Sequence, residues 1–271
     1  MSHLIVKPHE KDKEGKVISV SPESAGWEYV GFEVYSLSEG ESIYKQTENQ
    51  EICLVLLSGR ADVATSKSNF EDIGKRMTVF EKIPPYSVYV PNQDEFTVQA
   101  LTDVEIAVCL APGKGSYEAR LITPDDVGQE DRGSGKMSRK IHNILPEQKE
   151  ADSLLVVEVY TPDGNTSSYP PHKHDKNNLP EESYLEETYY HKVNPDQGFV
   201  FQRVYNDDRS LDETLSVENE NVVLVPEGYH PVSCVPGYES YYLNVMAGPI
   251  RTWQFHNDPD HEWLFQSQNK S

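Results

Sequence analysis

Long apolar runs are missing from this 271-residue sequence: the longest clean one, Ile52 to Leu57, is far too short to span a bilayer. Basic residues are few, 24 against 45 acidic, and the formal net charge is −21. A surface of that sign repels nucleic acid and anionic membranes, which argues against both as partners. It also repels a small acidic substrate, so any anion site has to rest on local Arg, Lys or metal charge. Cysteine is scarce: Cys53, Cys109 and Cys234 are odd in number and widely spaced, without a CxxC pair. That excludes a disulfide framework or a Cys-based zinc site. Cys53 and Cys109 stand in apolar runs and read as small buried hydrophobes. The opening MSHLIVKPHEKDKEGK lacks the apolar core of a secretory signal. Together these absences predict a soluble cytoplasmic protein.

Long stretches of helical periodicity are scarce as well. Segments such as WEYVGFEVYSL, EICLVLLSGRADVAT and EFTVQAL are rich in Val, Ile, Tyr and Phe and end in Gly, Pro, Asn or Asp. SLLVVEVYTPDGN, GFVFQRVYND and SYYLNVMAG repeat the style in the second half. Short strands at regular spacing predict an all-β chain of antiparallel sandwiches or barrels. The length suffices for one large domain or two of ordinary size. From Gly113 to Glu150 the chain turns polar and Gly-rich, which predicts a connector, with one long active-site loop as the alternative. The strand-and-proline phrase "IPPYSVYVPNQDEFTVQA" has a weak counterpart in "ENVVLVPEGYHPVSCV", so the halves read as a duplicated barrel. The expected division is an N-terminal barrel at 1–112, a connector at 113–150 and a C-terminal barrel at 151–271.

No histidine stands between His9 and His142. A histidine-rich metal site is therefore expected in the second barrel alone. In PPHKHD, His172 and His174 are two apart and face the same side of an extended segment, with Lys173 turned away. Imidazole is a common ligand for zinc, iron, nickel or manganese. A carboxylate is expected from the following strand, where Glu187, Tyr189 and His191 share one face and Glu186, Thr188 and Tyr190 the other. Glu187 is preferred over Glu186 on that ground. His230 in VPEGYHPV supplies a third imidazole, placed by the turn at Pro226 and Gly228. His191 is expected to be exposed or to sit behind the ligands, and His256 and His261 to be surface or oligomer contacts. The Gly-rich GKGSY and RGSGK do not match a phosphate loop.

This constellation resembles the cupin superfamily: Gly164, His172, His174, Glu187 and Gly198 match its first motif, and Pro226, Gly228 and His230 its second. Twelve residues separate His174 from Glu187, where the common pattern has three or four, and Cys234 stands where Asn is usual. Beyond the superfamily, PPHKHD, EETYYHKVNPDQGFVFQRVYN, VPEGYHPV, YYLNVMAGPIRTW and DPDHEW are similar to the 5-deoxy-glucuronate isomerase family of bacterial inositol catabolism. That family is related to the ketol-isomerases of unsaturated uronates. The resemblance covers almost the whole chain. It implies two tandem cupin barrels of the jelly-roll type and a divalent metal, zinc first, with manganese, iron or nickel as alternatives. It also implies conversion of 5-deoxy-D-glucuronate to 5-dehydro-2-deoxy-D-gluconate, and a homo-oligomer is compatible with it. Tyr189 and Tyr242 are then candidates for proton transfer, with Lys173 or Glu186 in reserve. Arg203 is the first choice for the substrate carboxylate, because Arg in an aromatic strand is costly unless paired; Arg251 is the second, and Lys173 a further contact. A cupin dioxygenase and a non-catalytic sugar-acid-binding cupin are the alternatives.

Overall fold

The computed structural model describes residues 2–268. Its β-branched and aromatic runs form two halves on one plan, every strand pair antiparallel. In the first half a six-stranded sheet runs in the order Arg120–Ile122, Ser87–Val90, Gln50–Ser58, Val104–Pro112, Gly31–Leu37, Lys16–Val20. In the second half the same central order recurs as Val222–Val225, Glu186–Asn194, Glu239–Ala247, Leu155–Thr161, Arg139–Leu145. Each sheet is completed by a four-stranded one: Ser42–Gln46, Glu95–Ala100, Ala61–Thr65, Asn69–Ile73, and correspondingly Thr166–Ser167, Val232–Cys234, Phe199–Tyr205, Asp212–Glu218. The protein is thus all-β, two tandem cupin barrels, as the sequence pattern and the resemblance led one to expect.

The stretch 113–150 departs from a plain connector. Gly128–Arg132 is an edge strand of the second large sheet and Arg139–Leu145 the strand next to it, and Ile5–Val6 from the N-terminus pairs with Val222 and Val223 on its other edge. Turn residues in RGSGKMS form the hairpin between two short strands, which hides their alternation. Among the described residues no helix is long and apolar enough to cross a membrane.

Alternation sorts each large sheet into two faces. One face of each lines its own barrel: Ile52, Leu54, Val88 and Val108 in the first, Val157, Tyr189, Val223 and Tyr242 in the second. The other faces meet in a shared core holding Phe32, Val55, Cys53 and Cys109 from one half and Tyr190, Tyr241, Leu243 and Val245 from the other. All three cysteines are buried and free.

Buried carboxylates tie the halves together. Glu51 accepts the backbone N–H groups of Asp152, Ser153 and Leu154 at 2.7, 2.5 and 2.6 Å. Glu186 accepts those of Glu28, Tyr29 and Val30 at 2.7, 2.7 and 2.9 Å. The two occupy matching positions, Glu51 opposite Ala111 and Glu186 opposite Ala247, so each half clasps the segment entering the other half's sheet. Between them Arg76 makes a bidentate pair with Glu158, 2.9 Å at both oxygens, joined by His142 at 2.6 Å and the Tyr241 hydroxyl at 2.9 Å.

Burial alone would raise the Glu158 pKa, but Arg76 and His142 override it and hold the carboxyl at about 2. A depressed carboxyl pKa stabilises the fold above its unfolded-state value near 4.5, and that contribution disappears as pH falls to about 2. Glu158→Gln is therefore expected to flatten the fall in melting temperature across that window. Arg76→Met leaves Glu158 buried without its cation and is expected to destabilise the protein by about 3–5 kcal/mol in urea titrations.

Candidate metal centre

The segment Pro170–Asp175 runs extended at the mouth of the second barrel, where His172 and Lys173 pair with Asn257 and His256. His172 and His174 turn toward the barrel and Lys173 turns away. The intervening residues to Glu187 leave as a hairpin, Asp175–Asn178 against Glu182–Tyr184, and return so that the Leu185 N–H donates to the His174 carbonyl at 2.9 Å. The hairpin is why twelve residues separate the His from the carboxylate while their side chains still meet. Glu186 faces the inter-barrel contact and Glu187 the barrel interior. His230 follows the turn after Val222–Val225. Gly228 has φ of +86° there, and a Cβ would lie 2.4 Å from the Tyr205 carbonyl oxygen, so only glycine fits.

The Glu187 Oε2 lies 3.1 Å from the His174 Nε2 and 3.2 Å from the His230 Nε2. One ligand atom from each of these buried residues falls within 4.8 Å of the others. Ligands at about 2.0–2.2 Å from one ion stand roughly 3 Å apart, which is the spacing here. The ring tautomers suit the same role. His230 Nδ1 donates to the Gly228 carbonyl at 2.8 Å and His174 Nδ1 to the Leu185 carbonyl at 3.0 Å, turning each Nε2 lone pair to the centre. His230 Nε2 is buried with no hydrogen-bond partner, the orphan expected of a ligand atom. Burial pushes His230 and His172 down to about 3, so both rings are neutral at pH 7. Burial opposes protonation of His174 too, but its hydrogen bond to Glu187 prevails and raises it. These donors fit a divalent ion. His172 stands beside the trio, its ring 5.0 Å from that of His230 and 4.7 Å from Phe255.

Two adjoining cavities open over this group. The inner, about 30 Å³, is lined by Glu187, Tyr189, Tyr242, Asn244 and Ser168; the outer, about 130 Å³, by Tyr169, Pro170, Phe255 and Asn257. His172, Arg132 and Arg139 line both.

The sequence matches the KduI/IolB family over residues 4–264. The chain belongs to the KduI/IolB family. A relative in Geobacillus thermodenitrificans, 68% identical over 99% of this chain and 98% of its own, is named 5-deoxy-glucuronate isomerase; so is one in Bacillus subtilis, 52% identical over 98% and 100%. The crystal structure of an IolB-like protein from Salmonella typhimurium superposes with a TM-score of 0.94 at 54% identity, covering 97% of this chain and 99% of that one. Oxalate decarboxylase of Lactobacillus farciminis shares the fold, with a TM-score of 0.67 at 14% identity over 100% and 92% of the two chains.

In this KduI/IolB chain the tyrosines expected near the chemistry do face the cavity. The Tyr189 hydroxyl is 2.8 Å from Ser168 Oγ, and its ring lies 4.8 Å from that of Tyr242. The three expected substrate cations do not. Arg203 is half exposed and pairs bidentately with Asp212 at 2.8 Å. Alternation turns its neighbour Gln202 inward instead, where Gln202 accepts from the buried His191 at 2.9 Å. His191 is thus neither exposed nor a ligand, and stacks on Tyr189. Arg251 donates to the carbonyls of Leu154, Lys149 and Pro146, each at 2.7 Å, and staples the loop between Arg139–Leu145 and Leu155–Thr161.

Lys173 is buried, 1% exposed, and donates to Asp175 at 2.7 Å and Glu182 at 3.3 Å. The other Asp175 oxygen accepts the Gly228 N–H at 2.8 Å. Lys173 therefore ties the HxH segment to the turn bearing His230 and is not a substrate contact. The expected contact missed alternation's consequence: the face opposite the histidines is packed against the hairpin.

Glu187→Gln is expected to lower bound metal at least tenfold by elemental analysis. Glu186→Gln is expected to retain metal while lowering the melting temperature, because Glu186 serves the inter-barrel clasp. Lys173→Met strands the buried Glu182 and the half-buried Asp175 and is expected to destabilise the fold by about 3–5 kcal/mol, read by urea titration.

Proposed function

We propose that this centre isomerises 5-deoxy-D-glucuronate to 5-dehydro-2-deoxy-D-gluconate, with His174, Glu187 and His230 holding a divalent ion and His172 as the fourth donor. Zinc is the first choice for it, and manganese serves equally because no electron is transferred. The names and near-complete coverage of the relatives support the reaction. The observation that carries the site is the Glu187 carboxylate shared by two Nε2 atoms, lining a small inner cavity that adjoins a larger outer one.

The reaction moves a carbonyl from C1 to C2: through an enediol the C2 hydrogen is replaced by one at C1 and the O2 hydroxyl proton by one at O1, so the net change needs no co-reactant. A bound divalent ion supplies Lewis acidity that polarises the carbonyl oxygen. Tyr189 and Tyr242 hold protons rather than remove them. Burial raises both phenols, with the Glu187 charge adding to the rise, so each stays protonated at pH 7. They donate to the substrate oxygens, and Ser168, within hydrogen-bond distance of Tyr189, orients that hydroxyl. The apolar wall of Ile141, Val157, Val159 and Trp253 limits water in the inner cavity.

The test is a proton NMR assay with 5-deoxy-D-glucuronate. Loss of the aldehyde form and growth of the 2-ketone, abolished by chelation and restored by zinc or manganese, is expected without oxygen uptake. Stoichiometric oxygen consumption would assign a dioxygenase instead, and absence of turnover with metal bound would leave the isomerase reading without support.

A further inference from the structure

Arg132 and Arg139 stand directly opposite each other in the ladder between Gly128–Arg132 and Arg139–Leu145. Like charges facing across a strand pair repel. Arg132 is partly offset by Glu130 at 2.5 Å. Arg139 has no carboxylate in ion-pair contact among the described residues. Its Nη1 donates to the carbonyls of Met137 at 3.0 Å and Tyr169 at 3.2 Å, which fixes the guanidinium beside the His172 loop. Burial lowers the Arg139 pKa, and the neighbouring Arg132 charge contributes. Two cations are thus held together, one half-buried and unneutralised, in a protein whose net charge is −21. Both line the outer cavity and the inner one above the His–Glu trio.

We propose that Arg132 and Arg139 form the subsite for the substrate's carboxylate, Arg139 being the principal contact, and so restrict the enzyme to sugar acids. This rests on the isomerase reading. In a six-carbon uronic acid the carboxylate and the aldehyde lie at opposite ends of the chain. With the carbonyl end at the trio in the inner cavity, the acid end falls toward the outer cavity that the two arginines wall. A guanidinium fixed by carbonyls on one side presents its remaining N–H groups as a planar fork, which matches a carboxylate. An anion there also relieves the Arg–Arg repulsion. The relief makes the acid bind better than a neutral sugar even against the repulsion of the protein's overall charge.

The test compares metal-loaded wild type, Arg139→Ala, Arg139→Lys and Arg132→Ala on 5-deoxy-D-glucuronate and on 5-deoxy-D-glucose, its neutral counterpart. Arg139→Ala is expected to raise KM for the acid about 10- to 100-fold, the range lost with a charge-assisted contact. Its kcat and metal content stay close to wild type, and KM for the neutral sugar does not rise. Arg139→Lys restores part of the loss, and Arg132→Ala shows a smaller rise. An unchanged KM for the acid, or an equal rise for both sugars with metal retained, overturns the assignment. A second arm needs no turnover and stays decisive even where wild type isomerises neither sugar. It is a calorimetric titration of D-glucuronate against D-glucose. Preference for the acid in wild type and its loss in Arg139→Ala supports the subsite; equal binding by the two proteins contradicts it. Should Arg139→Ala lose its fold by circular dichroism, Arg132→Ala and Arg139→Lys carry both arms by the same criteria.

Discussion

Alternation along the strand Glu186–Asn194 sends two adjacent carboxylates in opposite directions, and both barrels are organised around that split. Glu186 leaves the barrel and accepts three backbone N–H groups from the other half. Glu187 enters the barrel and meets two imidazoles. A slip of one residue in this register would place the clasp carboxylate in the cavity and the cavity carboxylate against the neighbouring sheet. The register is fixed on both sides, by pairing of Glu187 with Val225 and with Met246. Tyr190 and Thr188 follow Glu186 to the inter-barrel side, and Tyr189 and His191 follow Glu187 inward, so the aromatic wall of the cavity is set by the same choice.

The duplicated plan shows what a cupin half looks like with hydrocarbon where its twin has a carboxylate. Glu51 matches Glu186 and keeps the clasp, but the next residue is Ile52, which pairs with Val90 as Glu187 pairs with Val225. Ile52, Leu54, Val88 and Val98 then fill the first barrel with hydrocarbon. One half has become a packed support and the other keeps polar groups at its centre. The price of holding polar groups in a dry interior is met by pairing: the trio with one another at the barrel centre, Glu158 with Arg76 and His142 between the halves, and Lys173 with Asp175 and Glu182 under the hairpin. Each is a group that would otherwise be too costly to bury.

Much of this was legible in the residues. HxH and P-x-G-x-H mark extended segments and a glycine turn, and strand period two separates Glu187 from Glu186 without any coordinates. The strand runs and their recurrence announced a duplicated β architecture. The cations were illegible for a physical reason. Arg203 looked costly in an aromatic strand, yet Phe199, Phe201 and Arg203 share the outer face, and the inward residue is the neutral Gln202. Lys173 lies on the correct segment, but its face meets a hairpin whose fold is set by contacts distant in sequence. Arg132 and Arg139 flank the turn-rich GSGKMS, where no alternation signals a strand, and only the pairing across the hairpin brings them together over the cavity. The N-terminal Ile5–Val6, an edge strand of the far barrel, is invisible to local pattern for the same reason.

The account's central claim is that one ion is held inside the second barrel by imidazole and carboxylate together. Anomalous diffraction from crystals of the manganese-loaded protein, collected on both sides of the metal edge, addresses it most directly. The expected result is a single strong peak within about 2.0–2.3 Å of the His174 and His230 Nε2 atoms and a Glu187 oxygen, with none in the first barrel. A peak outside that group, or full metal occupancy with the two Nε2 atoms uncoordinated, would contradict it.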